Sequence, residues 1–417
     1  MNRRGFTFFR RIVHSFFNGM FLAKTRRHLF KLGPVRRFLS RRLSRLPVEP
    51  GKVVFAAFSG NCDCNPKYLQ QALSRQCPGL DVVWLLGAGA YRRHKAAGGI
   101  PGCRIVQMWT LAALREVATA KVWVDNAQTF LQDGMPPKRP GQTWVNTWHG
   151  SLGIKRLDTA DPVVRARTER MAGAVDVVLT NSEFEDGVFS SSIFPRTPLR
   201  RIGHARNDVF FLPPEAREAV CVRVRAALGL HDGEKFAVYA PTFREAAFFT
   251  SASTLNLSAW AEAFAERFGG KWRVALRLHP HDAKALAEGL FRLPPGVLDV
   301  SGYEDVQELL VAADACVTDY SSLVFDYLLG GGPGFIYAPD KRKYDESRGF
   351  CYPLEETPFP VAQTEAELAA AIRGFDFGKY AADRTAFLAA RGCMEDGHAA
   401  ERAADLIAEL IERGGLP

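Results

Sequence analysis

Short apolar runs alternate with helical stretches along most of this chain, and the alternation starts twice. Runs at 53–58, 82–86, 104–108, 121–124, 143–146 and 175–179 read as strands with helices between several of them. A segment rich in proline and charge, 211–223, reads as a linker. A second series follows, with strands at 236–239, 273–276, 297–300, 315–317 and 335–337 and helices at 257–268, 305–312 and 322–329. Near-continuous apolar strands spaced by helices build a mostly parallel sheet, because both faces of such a sheet must be covered. A length of 417 residues exceeds what one core usually supports. The chain is therefore predicted to be α/β, with two Rossmann-like, doubly wound domains facing a central cleft. The expected divisions are an arm over 1–50, a first domain over 51–212 and a second over 213–417. Closing helices at 365–373 and 398–413 are expected to pack back across the junction.

The arm is set apart by charge. Residues 1–50 hold 13 of the 54 Lys and Arg and one of the 45 acids, Glu49, which leaves +12 there and −3 on the other 367 residues. Phe6, Phe9, Val13, Phe16, Phe17, Met20 and Phe21 recur at steps of three and four, with Arg3, Arg10, Arg11 and Lys24 between or beside them. This is the pattern of a basic amphipathic helix lying along an anionic membrane surface, which residues 1–45 are expected to do. The longest uncharged run, 12–23, is too short to span a bilayer, which takes roughly 20 apolar residues. An export signal would also place arginines before an apolar run, but no small-x-small cleavage site follows. Nucleic acid is not expected as a partner, since the rest of the chain is slightly acidic and carries no nucleic-acid-binding module. The eight cysteines show no paired CxxC zinc pattern and fit a reducing compartment.

Three strings carry chemistry, each placed where a strand gives way to polar residues. In Asn146-Thr147-Trp148-His149-Gly150, the histidine titrates near neutrality and suits a general base, and Gly150 lets backbone approach a ligand. In Arg277-Leu278-His279-Pro280, the proline ends the strand where Arg277 and His279, two apart, point the same way and can meet one anion. Thr318-Asp319-Tyr320-Ser321-Ser322 reads as strand, tight turn and helix start, with Ser321 or Ser322 as the N-cap of an anion-attracting end. Thr242 and Arg244, after the first strand of the second series, are further candidates for a phosphate or a ribose. Each string alone also fits an ordinary βα turn. The chain has no GxGxxG fingerprint, Walker loop, HExxH or nucleophile elbow.

Taken together, the strings resemble a known family. Residues Thr318 to Ser322 followed by Phe325-Asp326, then Pro333, Tyr337, Asp340, Tyr344, Arg348 and Gly349, are similar to the C-terminal block of the CDP-glycerol glycerophosphotransferases, the teichoic-acid polymerases and primases. Asn65-Pro66-Lys67, Trp148-His149-Gly150, Asn181-Ser182-Glu183, Gly203 with Arg206-Asn207-Asp208, Tyr239-Ala240-Pro241-Thr242, and Arg277 with His279-Pro280 stand in the family's order. The resemblance covers roughly residues 53–360.

It implies a GT-B fold and transfer of a polyol phosphate, glycerol phosphate from CDP-glycerol, to a hydroxyl of a lipid-linked or polymeric acceptor, with release of CMP. CDP-ribitol as donor, or a GT-B glycosyltransferase using a nucleotide sugar for capsule or lipopolysaccharide, are the alternatives. The family's two essential histidines correspond to His149, as base, and His279. With Gly150, Asn207, Thr242, Arg244, Arg277, Thr318, Asp319, Ser321, Ser322 and Asp326, they form the expected site. No cofactor or metal is expected to be obligatory, and a divalent ion such as Mg2+ stays open. The expected location is peripheral, on the cytoplasmic face of the membrane. The chain departs from the family after Gly150, where Ser151-Leu152-Gly153-Ile154-Lys155 shifts the usual lysine by one residue. Phe243 replaces a frequent tryptophan and Ala205 a frequent proline.

Overall fold

The computed structural model describes residues 33–157, 161–242, 255–278, 280–290 and 292–413. Its strands form two sheets. The first contains β1 (Glu49–Phe55), β2 (Asp81–Leu86), β3 (Arg104–Gln107), β4 (Ala120–Asp125), β5 (Thr143–Asn146), β6 (Val177–Thr180) and β7 (Leu199–Arg201), in the order β3-β2-β1-β4-β5-β6-β7. The second contains β8 (Glu234–Ala240), β9 (Lys271–Leu276), β10 (Leu298–Asp299), β11 (Ala315–Thr318), β12 (Gly334–Tyr337) and β13 (Val361–Ala362), in the order β10-β9-β8-β11-β12-β13. Every pairing is parallel.

All residues of β4, β5, β11 and β12 are buried, as strands covered on both faces must be. Two doubly wound parallel sheets make the arrangement of the GT-B fold. In each sheet the strand order reverses once, between β1 and β4 and again between β8 and β11. Loops leaving the carboxyl ends of those strands run to opposite sides and open a crevice, the usual ligand position in such sheets.

The segment 211–223 is not a linker. A 3-10 turn, Ala205–Phe211, leads into the helix Pro214–Ala227, which buries Val220 and Val224 against one face of the second sheet. Its proline sits in the first turn, where the missing N–H costs no bond. The closing helix Ala399–Glu412 does return across the junction. Ala400, Ala403, Ala404, Ile407 and Leu410 join Val53, Phe55 and Trp84 in the core of the first sheet. Asp208, at the junction, accepts hydrogen bonds from the backbone N–H groups of Ala399 (3.0 Å) and Ala400 (2.7 Å) and so caps the start of that helix.

Residues 1–32, with the amphipathic pattern of the arm, lie outside the described residues. The end of the arm is described, and it is not laid out for a membrane. Helix Gly33–Leu43 turns Val35 and Leu39 into the core that holds Trp123 and Trp144. Arg37 pairs with Asp133 at 2.8 Å, Ser40 Oγ donates to the Gly134 carbonyl, and Arg36 lies 4.8 Å over the Trp109 ring. No described helix is long and apolar enough to cross a membrane. All eight cysteines are free thiols.

Leu39 is 1% exposed. Leu39→Ala is expected to lower stability by about 2–4 kcal/mol. The expected readout is a lower denaturant midpoint with an unchanged slope, and a midpoint equal to that of the parent would contradict the docking of this helix.

Candidate active site

The loop that carries His149 is built at the end of β5 by its own first residue. Asn146 Oδ1 accepts from the Trp148 N–H at 2.9 Å, closing a tight side-chain turn, while its Nδ2 donates to Asp125 and to the Ala127 carbonyl. Trp148 is thereby held at φ +54°, a left-handed conformation that costs a bulky residue about 1–3 kcal/mol. Packing opposes that cost: the indole lies 5.1 Å from Phe189 and 6.1 Å from Phe194. The turn aims His149 at the crevice.

His149 Nδ1 lies 2.6 Å from the carbonyl oxygen of Asn126, at the end of β4. A carbonyl only accepts, so Nδ1 carries the proton and Nε2 keeps its lone pair. The ring sits between Trp148 (4.7 Å) and the exposed Phe58 (5.4 Å) from the loop after β1. The residue is open to solvent along the crevice, while its ring is crowded by these loops. Desolvation by that crowding holds the imidazole pKa below its ordinary value. The bond to Asn126 opposes the drop, and the charges of Arg206, His204 and Lys155 add to it. The imidazole is neutral at pH 7.

Beyond Gly150 the chain crosses to the other half. Leu152 and Ile154 are buried in the core of the second sheet. The Ile154 carbonyl accepts from the Cys351 N–H (2.7 Å), the Gly349 carbonyl from the Arg156 N–H (3.1 Å), and the Leu152 carbonyl from the Tyr352 hydroxyl (2.6 Å). Lys155 and Phe350 form an antiparallel bridge. This seam brings the first and third strings together. Trp148, His149, Gly150, Lys155, Ser321, Ser322 and Arg348 line one cleft of about 390 Å³, within the usual span of ligand sites, roughly 300–1,000 Å³. A Cβ on Gly150 would lie 3.1 Å from Trp148 Nε1 and 3.6 Å from Ser322 Oγ, so glycine lets the loop sit this close to both without filling the gap.

Larger hollows exist elsewhere. One of about 700 Å³ is lined by Arg165, Glu169 and Arg196, and one of about 860 Å³ by Phe359, Phe375 and Arg391. Neither has a histidine among its lining residues; a third, of about 440 Å³, has His231 but no residue of the three strings.

On the opposite wall, Ser322 opens the helix Leu323–Leu329 without spending its side chain on a capping bond, and Ser321 Oγ accepts from the Leu323 N–H at 3.3 Å. Tyr320, between this turn and the core, stacks on Tyr344 at 3.9 Å and donates its hydroxyl to Asp340 (2.8 Å). Two cations, Lys155 and Arg348, with two hydroxyls thus face a neutral imidazole. Such a group can hold a phosphate and accept a proton from a hydroxyl beside it.

Several expected ligand contacts are corrected by burial. Thr318 donates its hydroxyl to the Ala240 carbonyl (2.5 Å). The Asp319 carboxylate accepts from the Thr242 N–H (2.9 Å), the Thr242 hydroxyl (2.6 Å) and the Tyr320 N–H (2.6 Å), tying the loops after β8 and β11. Asn207 donates to Glu395 (2.8 Å) and accepts from Gln307 (3.2 Å), and Asp326 pairs with Arg206 (2.9 Å). Thr318, Asp319, Asn207 and Asp326 are buried and brace the crevice from behind. Arg277 turns its Nη1 onto the carbonyls of Val300 (3.2 Å) and Tyr303 (2.8 Å) and does not line the cleft. His279 and Arg244 lie outside the described residues.

Lys155, Arg348 and Phe58 belong to the geometry but not to the expected site. Lys155 and Arg348 stood among the residues compared with the family and gave no local sign of facing one another's cleft. Among the described residues, no three His, Cys, Asp or Glu side chains are grouped to hold a metal ion.

Comparison with known proteins follows the same lines. The family described as CDP-glycerol:poly(glycerophosphate) glycerophosphotransferase matches residues 38–409. A teichoic acid poly(glycerol phosphate) polymerase of Staphylococcus epidermidis is 28% identical over 383 residues, covering 88% of this chain and 51% of that protein. The polymerase of that name from Bacillus subtilis is 27% identical over 344 residues, covering 79% and 44%. This chain therefore spans about half the length of those two relatives. A teichoic acid glycerol-phosphate transferase of Staphylococcus aureus is 28% identical over 377 residues, covering 86% and 93%. Among solved structures, a histidine-to-asparagine variant of the wall teichoic acid polymerase TagF, soaked with CDPG, superposes with a TM-score of 0.76 at 27% identity over 91% of this chain and 94% of that one. A histidine-to-alanine variant of TagF gives 0.75 at 25% identity over 99% of both. The chain belongs to the CDP-glycerol:poly(glycerophosphate) glycerophosphotransferase family.

The hydrogen bond and the crowding of the ring at His149 have a direct readout. By NMR, its imidazole should titrate with a midpoint below 6.5, so that it stays neutral as pH falls from 8 through 6.5 and gains its proton only in more acidic solution. A midpoint at or above 6.5 would show that the ring is not held as described.

Proposed function

We propose that this chain transfers glycerol phosphate from CDP-glycerol to a hydroxyl of a lipid-linked or polymeric acceptor. The observation that carries the reading is the shared cleft, where a neutral His149 with a free Nε2 faces Ser321, Ser322, Lys155 and Arg348. Family membership supports the donor class. Ribitol-phosphate enzymes also occur among its relatives, so CDP-ribitol is the donor to set against it.

The step balances as follows. The acceptor oxygen loses its proton to His149 Nε2 and bonds to the phosphorus that bears the glycerol. The bond from that phosphorus to the bridging oxygen breaks, and CMP leaves with the electron pair. Lys155, Arg348 and the serine hydroxyls would offset the charge on the departing diphosphate oxygens, which is where most catalysis of such transfers arises. His279, by family resemblance, remains a proposed partner of the donor phosphates. No metal is required by this scheme, and a divalent ion carried in with the diphosphate would add to these cations.

Purified protein with CDP-glycerol, CDP-ribitol and UDP-sugars, read by CMP or UDP release and by melting temperature, tests the donor. CDP-glycerol is expected to raise the melting temperature and to yield CMP when acceptor is present. His149→Ala is expected to lower turnover by about 10²- to 10⁴-fold with the melting temperature retained. Near-normal turnover in that variant would remove His149 from the mechanism, and a response confined to UDP-sugars would replace phosphotransfer by glycosyl transfer.

We also propose that the protein works at the cytoplasmic face of the membrane, held there by the basic, apolar-striped sequence of residues 1–32. Each cation near an anionic leaflet adds about 1 kcal/mol. A chain beginning at residue 33 keeps the docked helix Gly33–Leu43 and should lose sedimentation with phosphatidylserine vesicles. Undiminished sedimentation would place the anchor elsewhere.

A further inference from the structure

Arg206 connects the two walls of the cleft from behind. It lies in the 3-10 turn Ala205–Phe211 at the junction of the halves and is 4% exposed. Its Nη1 donates to the carbonyl of His149 at 2.6 Å and lies 3.2 Å from Cys64 Sγ. Its Nη2 meets Asp326 at 2.9 Å, on the first turn of the helix that Ser321 and Ser322 precede. The backbone N–H of Arg206 donates to Asn65 Oδ1 (3.1 Å), and Asn65 Nδ2 in turn donates to the carbonyls of Thr147 (2.8 Å) and Trp148 (3.1 Å). On the far side, Gln307 Nε2 donates to Asp326 (3.3 Å) and to Asn207 (3.2 Å). One planar fork therefore holds the backbone of the strained His149 loop with one arm and the serine-bearing helix with the other. A lysine, as a single point of charge, cannot span both.

We propose that Arg206, through Asp326, is a positioning residue that fixes the separation of the His149 base from the Ser321–Ser322 wall. The proposal rests on the phosphotransfer reading and adds how its two sides are kept in register. In-line transfer tolerates little error in that separation, and a displacement of about 1 Å costs on the order of 100-fold in rate. The cation of Arg206 also faces the imidazole of His149, along with His204 and Lys155, while Glu185 and Arg348 line the same cleft.

The test uses the full chain in three forms beside the parent: Arg206→Lys, Asp326→Asn, and the double variant Arg206→Gln with Asp326→Asn, in which two amides replace the ion pair. Arg206→Lys is expected to lower kcat for CMP release about 100-fold while KM for CDP-glycerol changes less than about 3-fold. Asp326→Asn, which strands the guanidinium, should melt lowest. The double variant should regain melting temperature over Asp326→Asn but not kcat. The NMR titration of His149 should move up toward 6.5 in the double variant, because the facing cation is gone while the other charged groups remain. Parental kcat in Arg206→Lys, recovery of kcat together with stability in the double variant, or an unmoved His149 titration would overturn the proposal. Absence of CMP release from the parent would instead remove the donor reading, and the titration, which needs no turnover, would still decide the role of Arg206.

Discussion

The seam between residues 150–156 and 349–352 is the constraint on which the site depends. A loop that starts at the end of a strand in one sheet buries Leu152 and Ile154 in the core of the other, and three backbone carbonyls bind across the join. Burying two aliphatic side chains stabilises by roughly 3–6 kcal/mol. The seam acts together with the buried Arg206–Asp326 pair, which also ties the wall carrying His149 to the wall carrying Ser322. The strained turn at Trp148 is tolerable for the same reason, since it is clamped on one side by Phe189 and Phe194 and on the other by the crossing strand.

Electrostatics then divides the labour. Acids and amides stand behind the cleft with their hydrogen bonds already spent, Asp319 on Thr242 and Tyr320, Asp326 on Arg206 and Gln307, and Glu395 on Asn207. Glu395 shows the cost of this arrangement, for burial lifts its carboxyl to about 7 despite His204, Asn181 and Asn207 around it. The open face keeps two cations, two hydroxyls and one neutral imidazole, with Glu185 the acid among its lining residues. A phosphate entering there meets donors, and the His149 ring is discouraged from holding a second proton.

Much of the fold was legible because parallel strands advertise themselves as unbroken apolar runs. Residues 143–146 and 257–268 coincide with an observed strand and helix. The edge strands Leu199–Arg201 and Val361–Ala362 were not, since an edge needs only two or three residues and no apolar run. Helix Pro214–Ala227 was hidden by its own opening prolines, and Phe377–Ala390 by a weak apolar stripe. In the site, His149, Gly150, Ser321 and Ser322 were placed by the strand-to-turn pattern. Thr318, Asp319, Asn207 and Asp326 were misread as contacts because a polar residue at a strand end looks alike whether it faces a ligand or braces a loop. Only the fold shows that Arg348 stands opposite His149, for no local pattern relates residues so distant in the chain.

The return of helix Ala399–Glu412 to the first sheet has a consequence for synthesis. Ribosomes release the chain from its amino end, yet one face of the first sheet, around Val53, Phe55 and Trp84, is covered by Ala400, Ala403 and Ile407, which are made after every described strand of both sheets. During translation that face has no lid, and a nascent chain showing several apolar strands invites capture by chaperones or by other nascent copies. The first half of the fold is thus completed only after the second has been made, and its maturation waits on that second sheet rather than on the emergence of its own strands.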